Sequence, residues 1–301
     1  MWKLKILIQF ILAYLPKGEQ INYLLQKQIG SHSQERIKMY ILENVKRLTF
    51  ISEYVELRDS SVLEIGTGWN GVGALLLYLM GAKVVYTYDH IPHVRWELLQ
   101  TSISEIEKQI DQISLITSIP YSQLYDRLVM LKNATSLNMI FERANIIYKA
   151  PGDARKSGLP DKSMDLVYSN AVLEHVPEQL IHDLTIETRR ILKQNGVAYH
   201  AIGLHDHYVS FDKKLTNVNF LKYPEWVWAL FIKNRISYHN RLREKQFIEI
   251  FKLYGAKIEA MRNKIDPHDL EVLKTMRIDK RFSGMTHEEL ATYHLEVVLS
   301  F

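Results

Sequence analysis

Between Ser61 and Asp89 the hydrophobic pattern changes period twice, which constrains the fold more than any other feature of the chain. Ser61 to Ile65 is a short β-type run ending at glycines, Val72 to Met80 is apolar at helical spacing, and Lys83 to Tyr88 is a second β-branched and aromatic run. Two parallel strands need a crossover to return to the same sheet edge, so this spacing predicts a right-handed βαβ unit. The alternation continues with strand-like runs at Asn145–Tyr148, Met164–Ser169 and Gly196–Ile202, and with a helix over Glu178–Leu192. A helix over Phe247–Tyr254 stopped by Gly255, then strands at Lys257–Met261 and His294–Leu299, close the series. Such a pattern predicts an α/β fold: an open, doubly wound, mostly parallel sheet with helices on both faces.

Three stretches exceed that scaffold. Residues 1–58 read as a helical N-terminal cap, and 59–301 as one α/β domain with insertions at 91–144 and 204–245. Ligands of open α/β sheets sit beyond the carboxyl ends of the strands, so both insertions are expected to overhang that edge. The opening MWKLKILIQFILAYLP imitates a secretory signal, but no small-x-small cleavage site follows it and Gln9 interrupts it. It is also shorter than the roughly 20 apolar residues that span a bilayer. It reads as an amphipathic or buried helix, with peripheral membrane contact through residues 1–15 as the alternative.

Charge and cysteine usage narrow the function. Lys and Arg number 38 against 34 acidic residues, and the first fifty residues hold eight of the former against three Glu. So mild an excess predicts no nucleic-acid partner, which would require a concentrated basic face. With no Cys, the chain has no disulfide scaffold, thiolate metal site or cysteine nucleophile, and a cytoplasmic location is expected.

The first strand-to-helix turn reads Glu64-Ile65-Gly66-Thr67-Gly68-Trp69-Asn70-Gly71. Gly66 and Gly68 permit a tight turn whose N–H groups approach a ligand closely, with a helix N-terminus behind them. Asp89 ends the second strand 18 residues after Gly71, where a carboxylate accepts both hydroxyls of a ribose. Taken literally the turn is GxGxxG, which leaves an NAD-dependent oxidoreductase as one alternative and a non-catalytic cofactor- or partner-binding domain as another.

Further motifs follow in order: Gly152-Asp153-Ala154 with Leu159-Pro160, Met164 to Asn170 with Val172-Leu173-Glu174-His175-Val176, and Ile191-Leu192-Lys193-Gln194-Asn195-Gly196-Val197. With the glycine turn and Asp89, this series resembles the class I S-adenosylmethionine-dependent methyltransferases of the type 11 group, over about residues 60–203. The resemblance implies a seven-stranded sheet of order 3-2-1-4-5-7-6 with strand 7 antiparallel, and S-adenosylmethionine as cofactor. It also implies a cofactor site of Glu64, Gly66, Thr67, Gly68, Asp89, His90, Asp153, Ala154 and Asn170. Glu64 would orient the ammonium end, Asp89 the ribose and Asp153 the adenine amino group, with the Ala154 N–H facing a ring nitrogen and His90 or Ile91 against the adenine face. Asn170 would lie near the sulfur. The interval from Asp89 to Asp153 is 64 residues, so the role of Asp153 requires residues 91–144 to fold as an insertion.

Methyl transfer needs alignment and often a base near neutral pKa. Leu204-His205-Asp206-His207-Tyr208 is the densest source of such groups, so His205, Asp206 and His207 are the candidate catalytic, acceptor-side residues. The alternatives are a hydrogen-bonded loop turn, or a metal held by the two histidines and an Asp; no metal is expected. The aromatic and cationic residues of 219–243, with Arg241 or Arg243 meeting an anionic group, fit a small-molecule or saccharide acceptor. Their arrangement is loosely similar to methyltransferases of bacterial surface-saccharide pathways and suggests an O-methyl product.

Overall fold

The computed structural model describes residues 2–28, 30 and 33–301. Residue 1 of the expected membrane-contact segment lies outside the described residues. Seven strands, β1 (Ser61–Ile65), β2 (Val84–Tyr88), β3 (Ile146–Lys149), β4 (Met164–Asn170), β5 (Leu192–Gly203), β6 (Lys257–Ile265) and β7 (Thr292–Ser300), form one sheet. Their order is β3-β2-β1-β4-β5-β7-β6, with β7 antiparallel. The parallel register sets Leu63 beside Tyr86 and Val167, and Val85 beside Ile146. Asp165, at the foot of β4, accepts the Ser61 N–H at 2.8 Å and so anchors the start of β1.

The chain divides into two compact units. One comprises residues 30–169, 186–199 and 298–301. In it, helix α3 (Gln34–Ile51) follows α1 (Trp2–Tyr14) and α2 (Gly18–Gln28) in the chain. Helix α4 (Val72–Leu79) connects β1 to β2, and every one of its residues is buried, as a crossover helix between sheet and neighbours must be. Between β2 and β3 stand α5 (Trp96–Lys108), α6 (Ile110–Thr117), α7 (Tyr121–Lys132) and α8 (Leu137–Arg143). The 91–144 segment thus forms a helical insertion, and β3 still pairs directly with β2. Its helix α5 lies against the glycine turn, Ser102 Oγ donating to Asn70 O at 3.1 Å. Leu98, Leu99, Ile103, Ile106, Leu124, Leu128 and Leu131 are all buried, with α5 and α6 packed on α3 and α7 on α4 and α5.

The second unit comprises residues 1–29, 170–185 and 200–297. The 1–58 segment is therefore divided, with α1 and α2 in this unit and α3 in the other. The start of helix α9 (Glu178–Ile191), helices α10 (Glu225–Phe231), α11 (Glu244–Leu253), α12 (Pro267–Leu273) and α13 (His287–Ala291) also lie here. Gly255 ends α11 at φ 87°, a left-handed conformation that favours glycine. Phe220, Leu221, Trp228, Phe282 and Leu290 form a core on which Trp2 and Ile6 of α1 pack. The other face of α1 leaves Leu4, Ile8 and Ile11 exposed. Among the described residues no helix is long and apolar enough to cross a membrane.

Arg241 and Arg243 do not reach for an acceptor. Both are buried within this unit, Arg241 donating to Tyr223 O at 2.6 Å and to Glu225 Oε2 at 2.6 Å, with its guanidinium 4.7 Å from the Trp228 ring centroid. Arg243 donates to the carbonyls of Leu204, Leu290 and Thr292. A guanidinium spread over backbone carbonyls is structural glue, because its planar fork satisfies several orphan acceptors at once.

Candidate active site

The glycine turn is held in shape by the strand it faces. Gly66, Gly68 and Gly71 all have positive φ, at 85°, 68° and 61°. The Gly66 N–H donates to Tyr88 O at 2.8 Å, closing the turn onto the end of β2. A Cβ built at Gly68 would meet nothing within 4 Å, so space lies open over the turn at that residue.

Asp89 sits at the tip of β2 with its carboxylate turned to this loop. Oδ2 accepts the Gly68 N–H at 3.1 Å and pairs with His93 Nδ1 at 3.1 Å, while Oδ1 pairs with His90 Nδ1 at 3.0 Å. Burial works to raise its pKa, but the bonds from His90, His93 and Gly68 win and hold it well below the usual carboxylate range. The result is an ionised acceptor at the mouth of the turn. His90 is mostly exposed, whereas His93 tilts against Trp69 at 4.6 Å, and Arg95 covers the same indole at 5.2 Å. His93, Trp69 and Arg95 were not among the residues singled out in the sequence; a histidine four residues after the strand-ending acid was the available signal.

Glu64 is buried. It is 3% exposed beneath the turn, and Thr67, Thr87 and Glu64 form a chain of hydrogen bonds, with Thr67 and Thr87 hydroxyls 2.6 Å apart and Thr87 donating to Glu64 Oε2. A Cβ at Gly73 would come within 1.9 Å of Glu64 Oε1, so the first turn of α4 accommodates this carboxyl only because residue 73 is glycine. Burial pushes the Glu64 pKa up to about 8, against the lowering effect of Thr87 and with a smaller contribution from the Asp89 charge. In this state Glu64 is a neutral acid at pH 7. What it offers is a buried proton that a nearby cation would displace.

Asp153 and Ala154 follow β3 in the loop that abuts Asp89: Asp89 N–H donates to Lys149 O at 3.0 Å and Gly152 N–H to Asp89 O at 2.8 Å. The insertion therefore does not separate the two acids. Asp153 Oδ1 accepts from Arg155 N at 3.0 Å and Nε at 2.9 Å, and Oδ2 from Arg155 Nη2 at 2.8 Å. Of about four acceptor positions on a carboxylate, one on Oδ2 remains for a further donor. Glu64, Gly66, Thr67, Gly68, Asp89, His90, Asp153 and Ala154 thus share one unit, and Asn170 belongs to the other.

The acceptor-side candidates lie in that other unit and separate by role. Asp206 is a turn-former: its N–H donates to Asn217 O at 2.8 Å, Oδ1 accepts Tyr208 N–H at 2.8 Å and Oδ2 accepts Asn219 Nδ2 at 2.8 Å. With both oxygens engaged and 2% exposure, it fits the hydrogen-bonded turn that was its alternative reading. His205 and His207 stack at 5.0 Å with planes 10° apart, and His239, which sequence reasoning passed over, stands 4.3 Å from His207. Burial lowers the pKa of all three, so they are neutral imidazoles at pH 7. In the same unit a cavity of about 310 Å³ is lined by Trp2, Asp206, Tyr208, Tyr223, Trp228 and Phe231, among others. It is overwhelmingly apolar.

The strand order is that of an open α/β sheet, the order that the resemblance to the methyltransferases implies. The family model described as "Methyltransferase domain" matches residues 129–200, roughly a quarter of the chain. Similar solved structures include an S-adenosylmethionine-dependent methyltransferase from Mesorhizobium loti, 15% identical, with a TM-score of 0.46 over 85% of this chain and 98% of that one. A SAM-dependent methyltransferase from Methanosarcina mazei is 16% identical, with a TM-score of 0.45 over 83% and 96%. Geranyl diphosphate C-methyltransferase from Streptomyces coelicolor A3(2) is 10% identical, with a TM-score of 0.43 over 83% and 78%. No curated protein matches the chain.

Proposed function

We propose that this chain is a methyltransferase that uses S-adenosylmethionine and acts on a small-molecule or saccharide acceptor, at an oxygen. The observation that carries the reading is the ionised Asp89 carboxylate fixed against the Gly68 N–H at the end of β2, a diol acceptor beside an open glycine turn. The family match over residues 129–200 supports it.

The residues present fit that cofactor. Gly68 carries no side chain where space is open, Asp89 supplies the ribose acceptor, and Asp153 Oδ2 retains a position for an adenine amino group. Glu64 is close beneath the turn, in reach of an ammonium through the Thr87 and Thr67 hydroxyls or water. When bound, the cofactor supplies an electrophilic methyl group on a positively charged sulfur. The chain's own tasks are then to hold the acceptor, exclude water and take a proton. Tyr208, Trp228 and Phe231 give the cavity apolar walls, suited to the faces of a sugar ring or to a hydrocarbon part of the acceptor. His205 is a neutral base, able to accept the proton of a hydroxyl, and His207 stacks on it. Asp206 positions them by fixing the turn that starts at His207.

The exposed apolar face of α1 with Lys3 and Lys5 supports peripheral contact with an anionic membrane surface, and the protein is placed in the cytoplasm on this reading. Calorimetric titration with S-adenosylhomocysteine tests the cofactor. Saturable binding with a one-to-one stoichiometry is expected, together with none for NADH; binding of NADH in its place would assign the turn to a dinucleotide.

A further inference from the structure

Of the buried polar atoms in one unit that have no hydrogen-bond partner among the described residues, four converge. They are Glu174 Oε2, His205 Nδ1, His207 Nδ1 and His239 Nε2. An unpaired polar atom in a dry interior is unfavourable, so a cluster of them calls for a ligand that satisfies several at once.

The surrounding bonds aim these atoms. Glu174 is 2% exposed; its Oε1 accepts the Gly203 N–H at 3.0 Å, which leaves Oε2 free. Residue 203 must be small here, since a Cβ would stand 2.8 Å from Glu174 Oε1 and 3.2 Å from His205 Cε1. His175 Nδ1 lies 2.8 Å from Tyr238 O, a bond that makes Nδ1 the protonated nitrogen and presents Nε2 as a lone pair. Asn240 ties the two segments together, its N–H to Glu174 O at 2.9 Å and its amide to Leu173 O and Val176 O at 2.7 and 2.9 Å. The rings of His175 and His207 are 4.8 Å apart, and one donor atom from each of Glu174, His175 and His207 lies within 4.8 Å of the other two.

We propose that Glu174, His175 and His207 form a binding site for a divalent transition cation of the zinc or ferrous type, with His205 and His239 as imidazole neighbours around it. Two histidines and one carboxylate are a donor set suited to zinc or non-haem iron, and nitrogen donors select against magnesium and calcium. Donors on one zinc at about 2.1 Å stand roughly 3.4 Å apart, so side-chain rotations of about 1 Å close the site. Three protein ligands leave a fourth position open, and His175 is exposed, which gives the ion a path from solvent. The other carboxylate–histidine group, Asp89 with His90 and His93, differs: its donors already pair with one another and with Gly68.

The test is metal binding by chelator-stripped full-length protein, with Zn²⁺ followed by calorimetry and Co²⁺ by its visible absorption band. One equivalent is expected, unaffected by excess Mg²⁺. Glu174→Gln and His207→Ala should each weaken binding by more than about 100-fold, beyond the range expected of an outer-shell contact. Circular dichroism identifies any variant that fails to fold, and the isosteric Glu174→Gln keeps the test decisive if His207→Ala does. His93→Ala should leave the Co²⁺ band intact. Absence of stoichiometric binding, or a band that survives in folded Glu174→Gln but is lost in His93→Ala, overturns the proposal. Because no turnover is measured, the outcome is independent of whether the chain is a methyltransferase.

Discussion

Replacing Asp89 by alanine should cost the protein 10- to 150-fold in affinity for S-adenosylhomocysteine. The carboxylate is ionised and pre-aimed, and hydrogen bonds to a charged acceptor contribute about 1.5–3 kcal/mol, which converts to that range. The substitution also releases the Gly68 N–H, His90 and His93, so some loss would reflect a slackened turn and not missing ribose contacts. A cycle separates the two. Wild type and Asp89→Ala are each titrated with the ligand and with its 2′-deoxy analogue. If Asp89 holds the ribose, the analogue binds wild type more weakly by at least roughly tenfold, yet binds the variant as well as the parent ligand does, a coupling above about 1 kcal/mol. Equal losses for both ligands would make Asp89 a loop brace, and unchanged affinity in a folded variant would remove it from the site altogether.

Three further outcomes follow from buried groups. Glu64, with its pKa raised to about 8 by burial, stays protonated in the fold while it ionises in the unfolded chain. Its penalty is therefore absent below the ordinary carboxyl value of 4.5, grows as pH rises and is complete above about 8. Glu64→Gln should relieve it, raising stability at pH 9 relative to pH 4 by at most about 5 kcal/mol; a urea-melt difference independent of pH would refute this. His200, stacked on Phe251 at 5.4 Å, has its pKa lowered from 6.5 to about 4 by burial, so its neutral form contributes stability above pH 6.5 that is lost as pH falls towards 4. His200→Phe should flatten that acid limb, read from thermal melts between those values; an unchanged limb would exclude His200 as its source. Arg241→Ala removes the guanidinium donor of the Tyr223 carbonyl, leaves Glu225 without one of its cationic partners and opens a gap beside Trp228, and should destabilise by roughly 3 kcal/mol in urea titration, whereas a loss under about 1 would mean that water replaces the guanidinium.

The strands and crossovers were legible because their signals are local. The β-branched runs at Val62–Ile65 and Val84–Tyr88, the helical stripe through Leu124, Leu128 and Leu131, and Gly255 after α11 each record a short-range steric or burial preference. The glycine turn and Asp89 were readable for the same reason: positive φ and a strand-ending acid leave marks within thirty residues of one another. Arg241 and Arg243 misled because a cation in sequence carries no sign of whether carbonyls will surround it.

What the chain by itself determined, then, is the alternation that makes an open α/β sheet and the turn that opens its first helix. Tertiary structure decided the charge states and the company each polar group keeps. Burial turned Glu64 from an anion into a neutral acid, gave Asp206 to Tyr208 and Asn219, and set His239, over thirty residues downstream, against His207. Periodicity is set by neighbours along the backbone, but solvation and hydrogen-bond partnership are set by neighbours in space, and those exist only once the chain has closed on itself.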